Sequence, residues 1–478
     1  MSTVSGKSPR IAVVGGGLAG LAAGSALADY GFHVTLFERR PYLGGRASSY
    51  EHPGTSEVVD NCQHVLLGCC TNLVQFYDRL GVQGKIRWYD RLTFLEPGGR
   101  VSTIASSVLP APFHNSFSFL RASCLGLRDK IAIASAMSAL TPGPPRDNGE
   151  SFLTWLRHHH QTERAIERFW KTILVSALNE DLDRMSVPYA AQVIRESFLK
   201  SATAGRMGVP TVPLTDLYSA AGDYIHAHGG EIRFRAGVDC FRPETDFAVL
   251  YTGGAELSFD FVILAVPFDV LSRMLPQVAA ADPLRAQLGH FETSPITGIH
   301  LWFDRQITDL DHAVLLDRTV QWMFHKSKLL AGTSPAKNPA TGFSSNNANG
   351  SYVELVVSSS KNLVEKSKSE ITQLALNELG EFFPRAGDAK LLKSTVIKEV
   401  NATFSPCPGV DTYRPGPVTI WPRVLLAGDW IATGWPATME GAVRSGYLAA
   451  EAVTKAVGKE AKFLVPDLPA SGFMQLFG

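Results

Sequence analysis

The sequence contains no long apolar run. No stretch reaches the roughly 18 uninterrupted apolar residues that a membrane-spanning helix needs. The opening MSTVSGKSPR is polar and leads directly into an apolar strand pattern, which leaves no room for the apolar region of a signal peptide. We therefore expect a cytoplasmic protein that can lie on the inner face of a membrane without crossing it.

Excess charge of either sign is also absent. The sequence balances 45 Lys and Arg against 45 Asp and Glu, and its basic residues do not cluster beside an aromatic stacking platform. Nothing in this pattern attracts a polyanion. We expect no nucleic-acid partner.

Cysteine is scarce and shows no paired spacing. The six cysteines are Cys62, Cys69, Cys70, Cys124, Cys240 and Cys407. No two have CxxC spacing, so we expect reduced thiols rather than a disulfide framework. The run His158-His159-His160 does not indicate a metal site, because consecutive residues on a helix point in different directions. We predict no metal centre.

A glycine-rich turn near the N-terminus predicts a dinucleotide site. The apolar run Ile11–Val14 breaks into Gly15, Gly17 and Gly20 at GxGxxG spacing before an alanine-rich helix. Gly15 permits the sharp turn, and Gly17 lets backbone approach a pyrophosphate at the positive end of the helix dipole. Gly20 allows the helix to pack closely on the strand.

The following residues specify the nucleotide. Glu38 ends the second predicted strand, where a carboxylate accepts both ribose hydroxyls and repels a 2′-phosphate. Gly44-Gly45-Arg46 comes six residues later. This extended fingerprint resembles the flavoproteins of the amine oxidase and phytoene desaturase superfamily. The resemblance implies FAD, with Gly45 and Arg46 along its diphosphate and ribityl chain.

A second motif near the C-terminus supports the same resemblance. An apolar strand ends in Gly428-Asp429, and Thr438-Met439 opens a last helix. The resemblance implies that Asp429 faces the ribityl chain and that the helix dipole after Met439 faces the flavin pyrimidine. It also implies that Val238 lies against the adenine. The predicted cofactor-binding residues are Gly15, Gly17, Leu18, Ala19, Gly20, Glu38, Arg39, Gly45, Arg46, Val238, Gly428, Asp429 and Met439.

Further sequence blocks narrow the resemblance to one branch. They are similar to the hydroxysqualene dehydroxylases, the squalene-associated FAD-dependent desaturases, from Arg10 to about Lys455. These blocks are Asp60-Asn61-Cys62-Gln63-His64 with the Val65–Gly68 run, Leu109–His114, Phe169-Trp170 with Leu174–Glu180, and Arg206–Pro210. Cys62 departs from the pattern, because glycine is usual there.

This resemblance implies reductive removal of the hydroxyl of hydroxysqualene, giving squalene, in squalene and hopanoid biosynthesis. Reduced flavin supplies the hydride, a proton donor assists the leaving oxygen, and an apolar pocket excludes water. His64 is the first candidate for the proton donor, since imidazole titrates near neutral pH. Glu180 is the second candidate, and Asp60 more simply anchors the loop. A structural role for His64 is the alternative.

Other functions stay open at this point. The nearest rival is an FAD-dependent desaturase of a carotenoid-like polyene, and a non-catalytic flavin-fold lipid-binding protein is another. An amine oxidase is disfavoured, because Thr438 stands where that family often has an aromatic residue. The expected partners are a long isoprenoid and squalene-pathway synthases that hand it over. Oligomeric state is open.

The length exceeds one ordinary domain, so we expect two interleaved domains. The resemblance implies that the fold is α/β. A Rossmann-type FAD-binding domain (7–75, 205–295 and 396–460) is interleaved with an α+β substrate-binding domain (76–204 and 296–395). Residues 108–127 are apolar, with Arg121, Arg128 and Lys130 beside them. They either dip into a membrane interface or form a buried helical hairpin. The Ser-, Asn- and Gly-rich segment 332–350 predicts a loop.

Overall fold

The computed structural model describes residues 8–53, 57–330 and 350–477. Its strands are β1 Arg10–Val14, β2 His33–Glu38, β3 Ser49–His52, β4 Glu57–Asp60, β5 Leu66–Leu67, β6 Ile86–Tyr89, β7 Arg91–Leu95, β8 Val101–Ala105, β9 Met207–Pro210, β10 Glu231–Phe234, β11 Cys240–Pro243, β12 Ala248–Thr252, β13 Ala255–Phe259, β14 Phe261–Leu264, β15 Thr293–Phe303, β16 His312–Leu315, β17 Trp322–Phe324, β18 Ser351–Ser358, β19 Leu391–Phe404 and β20 Val424–Leu426.

The α-helices are α1 Leu18–Asp29, α2 Thr71–Arg79, α3 Ser116–Arg121, α4 Leu127–Leu140, α5 Phe152–His158, α6 Glu163–Ala165, α7 Thr172–Leu178, α8 Val187–Ile194, α9 Leu214–Ala227, α10 Phe268–Met274, α11 Asp282–Leu288, α12 Lys326–Leu329, α13 Lys368–Phe382, α14 Pro384–Gly387 and α15 Met439–Ala456. Most of the predicted loop at 332–350 lies outside the described residues.

A parallel five-stranded sheet carries the nucleotide-binding half. Its strand order is β10-β2-β1-β14-β20, and every pairing is parallel. The central strands β1 and β14 are buried along almost their whole length. Helices α1, α9 and α15 cover one face of the sheet. The small sheet of β11, β12 and β13 packs on the other face, where the rings of Phe37 and Phe259 meet. Helices α1 and α15 pack so closely that a Cβ on Gly446 would lie 2.2 Å from the carbonyl oxygen of Ala19. The predicted Rossmann-type α/β fold is confirmed.

A larger sheet carries the second half of the molecule. Its order is β19-β15-β18-β17-β16-β7-β8, antiparallel except between β16 and β7. The long strands β15 and β19 pair from Thr293 with Phe404 to Phe303 with Leu391. Helix α13 packs its apolar face, which includes Ile371 and Leu379, in the core cluster of this sheet. Helices α3 to α8 form the insert that the sequence predicts.

Three of the predicted domain boundaries fall inside secondary-structure elements. The boundary at 75/76 divides α2, whose residues Phe76 and Tyr77 belong to the core of the nucleotide-binding half. The boundaries at 295/296 and 395/396 divide β15 and β19. These two strands pair along most of their length, with irregularities of register after Ser294 and before Phe303.

The apolar segment 108–127 is not a buried helical hairpin. It forms a turn, the short helix α3 and the start of α4, and several of its large apolar side chains are exposed, among them Phe117 and Leu120. Among the described residues, no helix has the length and apolar character to span a membrane.

Candidate functional site

The first glycine turn joins β1 to α1, and at two of its positions a side chain would clash with the backbone. Gly15 has φ +112°, and a Cβ there would lie 2.4 Å from the carbonyl oxygen of Ala265. A Cβ on Gly20 would lie 1.9 Å from the carbonyl oxygen of Gly15. In contrast, a Cβ on Gly17 would meet only the Cα of Gly45, at 3.9 Å. The backbone is therefore closely packed around Gly15 and Gly20, whereas the space beside Gly17 at the start of the helix is open.

The N-terminal end of α1 can receive an anion. Gly17 is its N-cap residue with extended backbone (φ −79°, ψ 176°), and no side chain caps the helix. The amides of Leu18 and Ala19 begin the first turn, where helical N–H groups lack partners within the helix. Together with the helix dipole they form the type of site that binds a phosphate.

A second glycine segment, Gly44-Gly45, lies against the first glycine turn, and we call the two together the glycine cradle. The N–H of Gly44 donates to the carbonyl of Gly16 at 2.8 Å, and a Cβ on Gly45 would lie 2.9 Å from the Cα of Gly17. Arg40 holds the segment from the other side by donating to the carbonyl of Gly45 at 2.9 Å. The two glycine segments thus meet backbone to backbone, with no side chain between Gly17 and Gly45.

Glu38 lies beside this cradle in a fixed orientation. One carboxylate oxygen accepts from the N–H of Gly16 at 2.8 Å, and the other accepts from the N–H of Arg40 at 2.7 Å. Each oxygen keeps a lone pair, so the carboxylate can accept the ribose hydroxyls. The loop after β10 runs alongside, since the N–H of Ala236 donates to the carbonyl of Glu38 at 3.0 Å.

That loop contains Val238, which is half-buried, as the predicted adenine contact. Arg39, in contrast, is exposed, and its Cβ lies 3.7 Å from the position that a Cβ on Gly237 would occupy. Arg40 rather than Arg39 therefore reaches the glycine segment. The contact of each individual residue with the cofactor stays a prediction.

Arg46 and Asp429 meet in the cleft between the two halves of the molecule. The guanidinium donates to the carboxylate of Asp429 at 2.7 Å and to the carbonyl of Ala402 at 2.6 Å. The side chain of Arg46 is 36% accessible and that of Asp429 is 8% accessible. Burial opposes the charge of Arg46, but the carboxylate of Asp429 outweighs it and raises the pKa of Arg46.

The strand before Asp429 and the helix after Met439 support the same cleft. The N–H of Gly428 donates to the hydroxyl of Ser445 at 2.8 Å. Thr438 caps α15 by accepting from the N–H of Gly441 at 3.1 Å. The positive end of the α15 dipole, which begins at Met439, therefore lies beside Gly428-Asp429.

His64 lies on the loop that follows β4, close to the Arg46 segment. The side chain of Asn61 donates to the carbonyl of Arg46 at 3.2 Å and ties this loop to the cradle. Nδ1 of His64 is 2.7 Å from the carbonyl oxygen of Cys62. Because a carbonyl only accepts, Nδ1 carries the proton and the neutral ring presents Nε2 as an acceptor. Burial of the imidazole lowers the pKa of His64 and favours this neutral form.

Cys62 fits this loop despite the departure from the usual glycine. Its side chain is buried, and Cys62 is not among the residues with positive φ. The backbone conformation therefore does not require glycine at this position.

A buried lysine, which the sequence analysis missed, holds both ends of the His64 loop. Nζ of Lys326 donates to Asp60 at 2.6 Å and to the side chain of Gln63 at 2.8 Å. Asp60 also accepts from the hydroxyl of Ser49 at 2.6 Å. These contacts favour the anchoring role of Asp60 over a catalytic one. A lysine inside the mostly apolar segment WMFHKSKLL was the only signal in the sequence.

Glu354 lies next to this lysine and changes its electrostatics. Its carboxylate is 3.5 Å from Nζ of Lys326 and is fully buried. Burial raises the pKa of Glu354 to about 8. Burial of Lys326 opposes its charge, but the carboxylates of Asp60 and Glu354 raise its pKa overall. Lys326 therefore stays charged and binds the loop to β18.

Glu180 lies in a different environment from that expected of a proton donor. Its fully buried carboxylate accepts from the hydroxyl of Ser405, the ammonium of Lys361 and the N–H of Asp181. Asn179 ends α7 in the left-handed conformation and donates to the carbonyl of Ser294 at 2.9 Å. These contacts fasten α7 to the large sheet and favour a structural role for Glu180.

The fold and the cleft define the class of protein. Proteins that bind FAD on a parallel sheet use glycine turns at a helix N-terminus and a carboxylate that accepts the ribose hydroxyls. This protein has both, and the N-terminal end of α15 lies beside Asp429. The residues present therefore fit FAD. The model of the family described as flavin containing amine oxidoreductase matches residues 18–454. The chain belongs to this family and is an FAD-dependent oxidoreductase.

Individual relatives are named as phytoene and zeta-carotene desaturases. The chain is 26% identical to a 15-cis-phytoene desaturase of Synechococcus elongatus, over 93% of this chain and 95% of that protein. It is also 26% identical to a zeta-carotene desaturase of Synechocystis, over 93% and 97%. These relatives match the predicted superfamily.

Solved structures show the same fold. An oxidoreductase from Methanosarcina mazei has a TM-score of 0.70 at 18% identity, covering 93% of this chain and 100% of that one. A putrescine oxidase has a TM-score of 0.69 at 16% identity, covering 94% and 99%. At these identities the likeness concerns the fold alone.

Proposed function

We propose that this protein desaturates a long, carotenoid-like polyene, with FAD as the hydride acceptor. The neutral His64 beside the cofactor cleft carries this proposal, because its free Nε2 is an acceptor of protons. Relatives named as phytoene and zeta-carotene desaturases, which match almost end to end, support the same direction.

The chemistry requires one base and a dry site. Formation of a carbon–carbon double bond removes a hydride from one carbon and a proton from its neighbour. Bound FAD supplies the hydride acceptor. Nε2 of His64 takes the proton, while Nδ1 stays bonded to the carbonyl of Cys62. The Asp60–Lys326–Gln63 contacts keep the loop, and with it the imidazole, in one position.

Reductive dehydroxylation of hydroxysqualene is the second candidate. The sequence blocks around His64, Glu180 and Arg206–Pro210 favour it, because they resemble the hydroxysqualene dehydroxylases. This reaction needs a proton at the leaving oxygen, so His64 would act in its doubly protonated form. Burial disfavours that form. The second candidate therefore predicts a rate that rises as pH falls, and the first predicts the opposite.

Two anaerobic incubations distinguish these reactions. Oxidised enzyme is mixed with phytoene and scored for flavin bleaching and a product of longer conjugation. Reduced enzyme is mixed with hydroxysqualene and scored for flavin reoxidation and squalene. Bleaching with phytoene alone supports the desaturase, and squalene formation alone replaces it with the dehydroxylase. If both lipids leave the flavin unchanged, while lipid still binds, the protein is a lipid binder without redox turnover.

A further inference from the structure

One face of the helical insert carries several large apolar side chains that are exposed. It combines three segments that we call the three-segment surface: residues 108–120, the first turns of α4, and the C-terminal 3₁₀ helix Gly472–Phe477. Its exposed apolar side chains are Val108, Phe113, Phe117, Leu120, Leu127, Ile131, Phe473, Leu476 and Phe477. Contiguous patches of this kind mark sites of interaction.

The three segments are fastened to one another. The rings of Phe113 and Phe473 meet edge to face at 6.0 Å between centroids, and the N–H of Phe473 donates to the carbonyl of Ala111 at 2.9 Å. Lys130 on α4 donates to the carbonyl of Leu120 at 2.7 Å. Arg195 donates to the carbonyl of Phe477 at 2.6 Å. These contacts hold the three segments together as one continuous surface.

The C-terminal helix has an inner and an outer side. Met474 is fully buried and anchors it, whereas Leu476 is 80% exposed. The anchor explains why the segment stays on the protein, but nothing in the described structure covers its outer residues. The apolar outer side therefore faces whatever the surface contacts.

Charge indicates the chemistry of that contact. Segments 106–120 and 468–477 contain no charged residue. The first segment is followed by the exposed Arg121 and Arg128 and by Lys130. Asp129 is the one acid between them, and it is buried, accepting from the N–H of Gly126 and from the hydroxyl of Thr162. The second segment is preceded by the exposed Asp467, whose carboxylate is paired with Arg444. An apolar face whose own segments carry no exposed carboxylate, with arginines at its margin, complements an anionic bilayer.

We propose that the three-segment surface inserts into one leaflet of a bilayer that contains anionic lipids, with the C-terminal helix as an integral part. Aromatic and leucine side chains enter the acyl boundary, and Arg121 and Arg128 contact the headgroups. Docking of this kind brings a protein whose proposed substrate is a long hydrocarbon to the phase in which that hydrocarbon dissolves. The surface itself does not depend on which isoprenoid reaction the protein performs.

Vesicle flotation of the FAD-loaded full chain tests this proposal. We expect the protein to float with vesicles of phosphatidylcholine and phosphatidylglycerol, and more weakly with phosphatidylcholine alone. The variants Phe117→Ser/Leu120→Ser and Leu476→Ser/Phe477→Ser lie on different segments, and each should lower partitioning by at least about tenfold. Arg121→Gln/Arg128→Gln should lower it about fivefold per residue with anionic vesicles only.

A matched control uses apolar side chains exposed elsewhere. Leu392 and Val400 on β19 are 45% and 48% exposed, and Leu392→Ser/Val400→Ser should float like the original protein. Flavin absorbance and melting temperature verify that each variant is folded, and Leu127→Ser replaces any double variant that fails this check.

Three results would overturn the proposal. The first is that the folded protein does not float with anionic vesicles. The second is that the surface variants and the β19 control lose partitioning equally. The third is that sedimentation shows a dimer which the surface variants dissociate, without any vesicle binding, since the surface would then bind a second copy of the chain.

Discussion

The guanidinium of Arg46 donates to the carboxylate of Asp429 at 2.7 Å, although 383 residues separate them in the sequence. Arg46 follows the second glycine segment, and Asp429 ends the strand pattern that leads into α15. This ion pair therefore joins the two sequence motifs on which the FAD prediction depends. The charge that this site offers to the cofactor is therefore that of the pair, because each side chain partly neutralises the other.

Removal of Arg46 should harm FAD binding more than removal of the whole pair. Arg46→Met leaves the carboxylate of Asp429 uncompensated beside an anionic diphosphate, so FAD affinity should fall at least about tenfold, corresponding to roughly 1.5–3 kcal/mol for a charged hydrogen bond. Arg46→Met/Asp429→Asn should recover part of this loss. Flavin fluorescence titration measures both. Arg305→Met, which removes an exposed ion pair with Asp304, is the control, and equal affinities for all three variants would contradict the argument.

A methyl group on Gly20 should disturb the cradle, while the same change in another helix should not. A Cβ on Gly20 would lie 1.9 Å from a backbone oxygen, so Gly20→Ala should destabilise the protein by about 1–3 kcal/mol and weaken FAD binding. Gly380 on α13 is exposed with nothing within 4 Å of its Cβ position. Gly380→Ala should therefore raise stability by up to about 1 kcal/mol. Urea unfolding with and without FAD measures both, and similar effects at the two positions would refute the role of the close contact.

The parts of the site that can be predicted from the sequence are those that depend on local sequence patterns. The turn at Gly15–Gly20, the strand ending at Glu38 and the last helix after Met439 depend on residues a few positions apart. Glycine spacing, apolar periodicity and a carboxylate at a strand end are therefore enough to find them. The parallel sheet follows from the same patterns.

The parts that sequence does not predict are contacts between distant segments. Lys326 is 266 residues from its partner Asp60, and the partners of Glu180 lie 181 and 225 residues away. A lysine or glutamate can be recognised as buried and paired only when the topology shows which distant residue lies next to it. The predicted domain boundaries fall inside β15 and β19 for the same reason, since the apolar pattern of a strand does not indicate which strand it pairs with.

Loss of the buried Lys326 should destabilise the protein unless its partner is neutralised as well. Lys326→Met leaves Asp60 charged and unpaired in a buried site, which costs about 3–5 kcal/mol. Asp60→Asn/Lys326→Met removes both charges and should regain most of that stability. Denaturant unfolding at constant FAD concentration measures the cycle. If the single and double variants were equally unstable, the pair would not be the source of the loss.

The pH dependence of flavin reduction should identify the proton acceptor. Burial lowers the pKa of His64 from its ordinary value of 6.5, so the neutral imidazole, the base of the proposed desaturation, persists below that pH. The rate of flavin bleaching by phytoene should stay constant through neutral pH and fall only as pH drops through the lowered pKa. His64→Gln should reduce the rate by about 10²–10⁴ and remove this acidic limb. His52→Gln is the matched control, because this histidine bonds Thr395 near the outer end of β19. A rate that instead rises as pH falls would mean that protonated His64 acts as an acid, as the dehydroxylase requires, and an unchanged rate in His64→Gln with FAD still bound would remove His64 from the reaction.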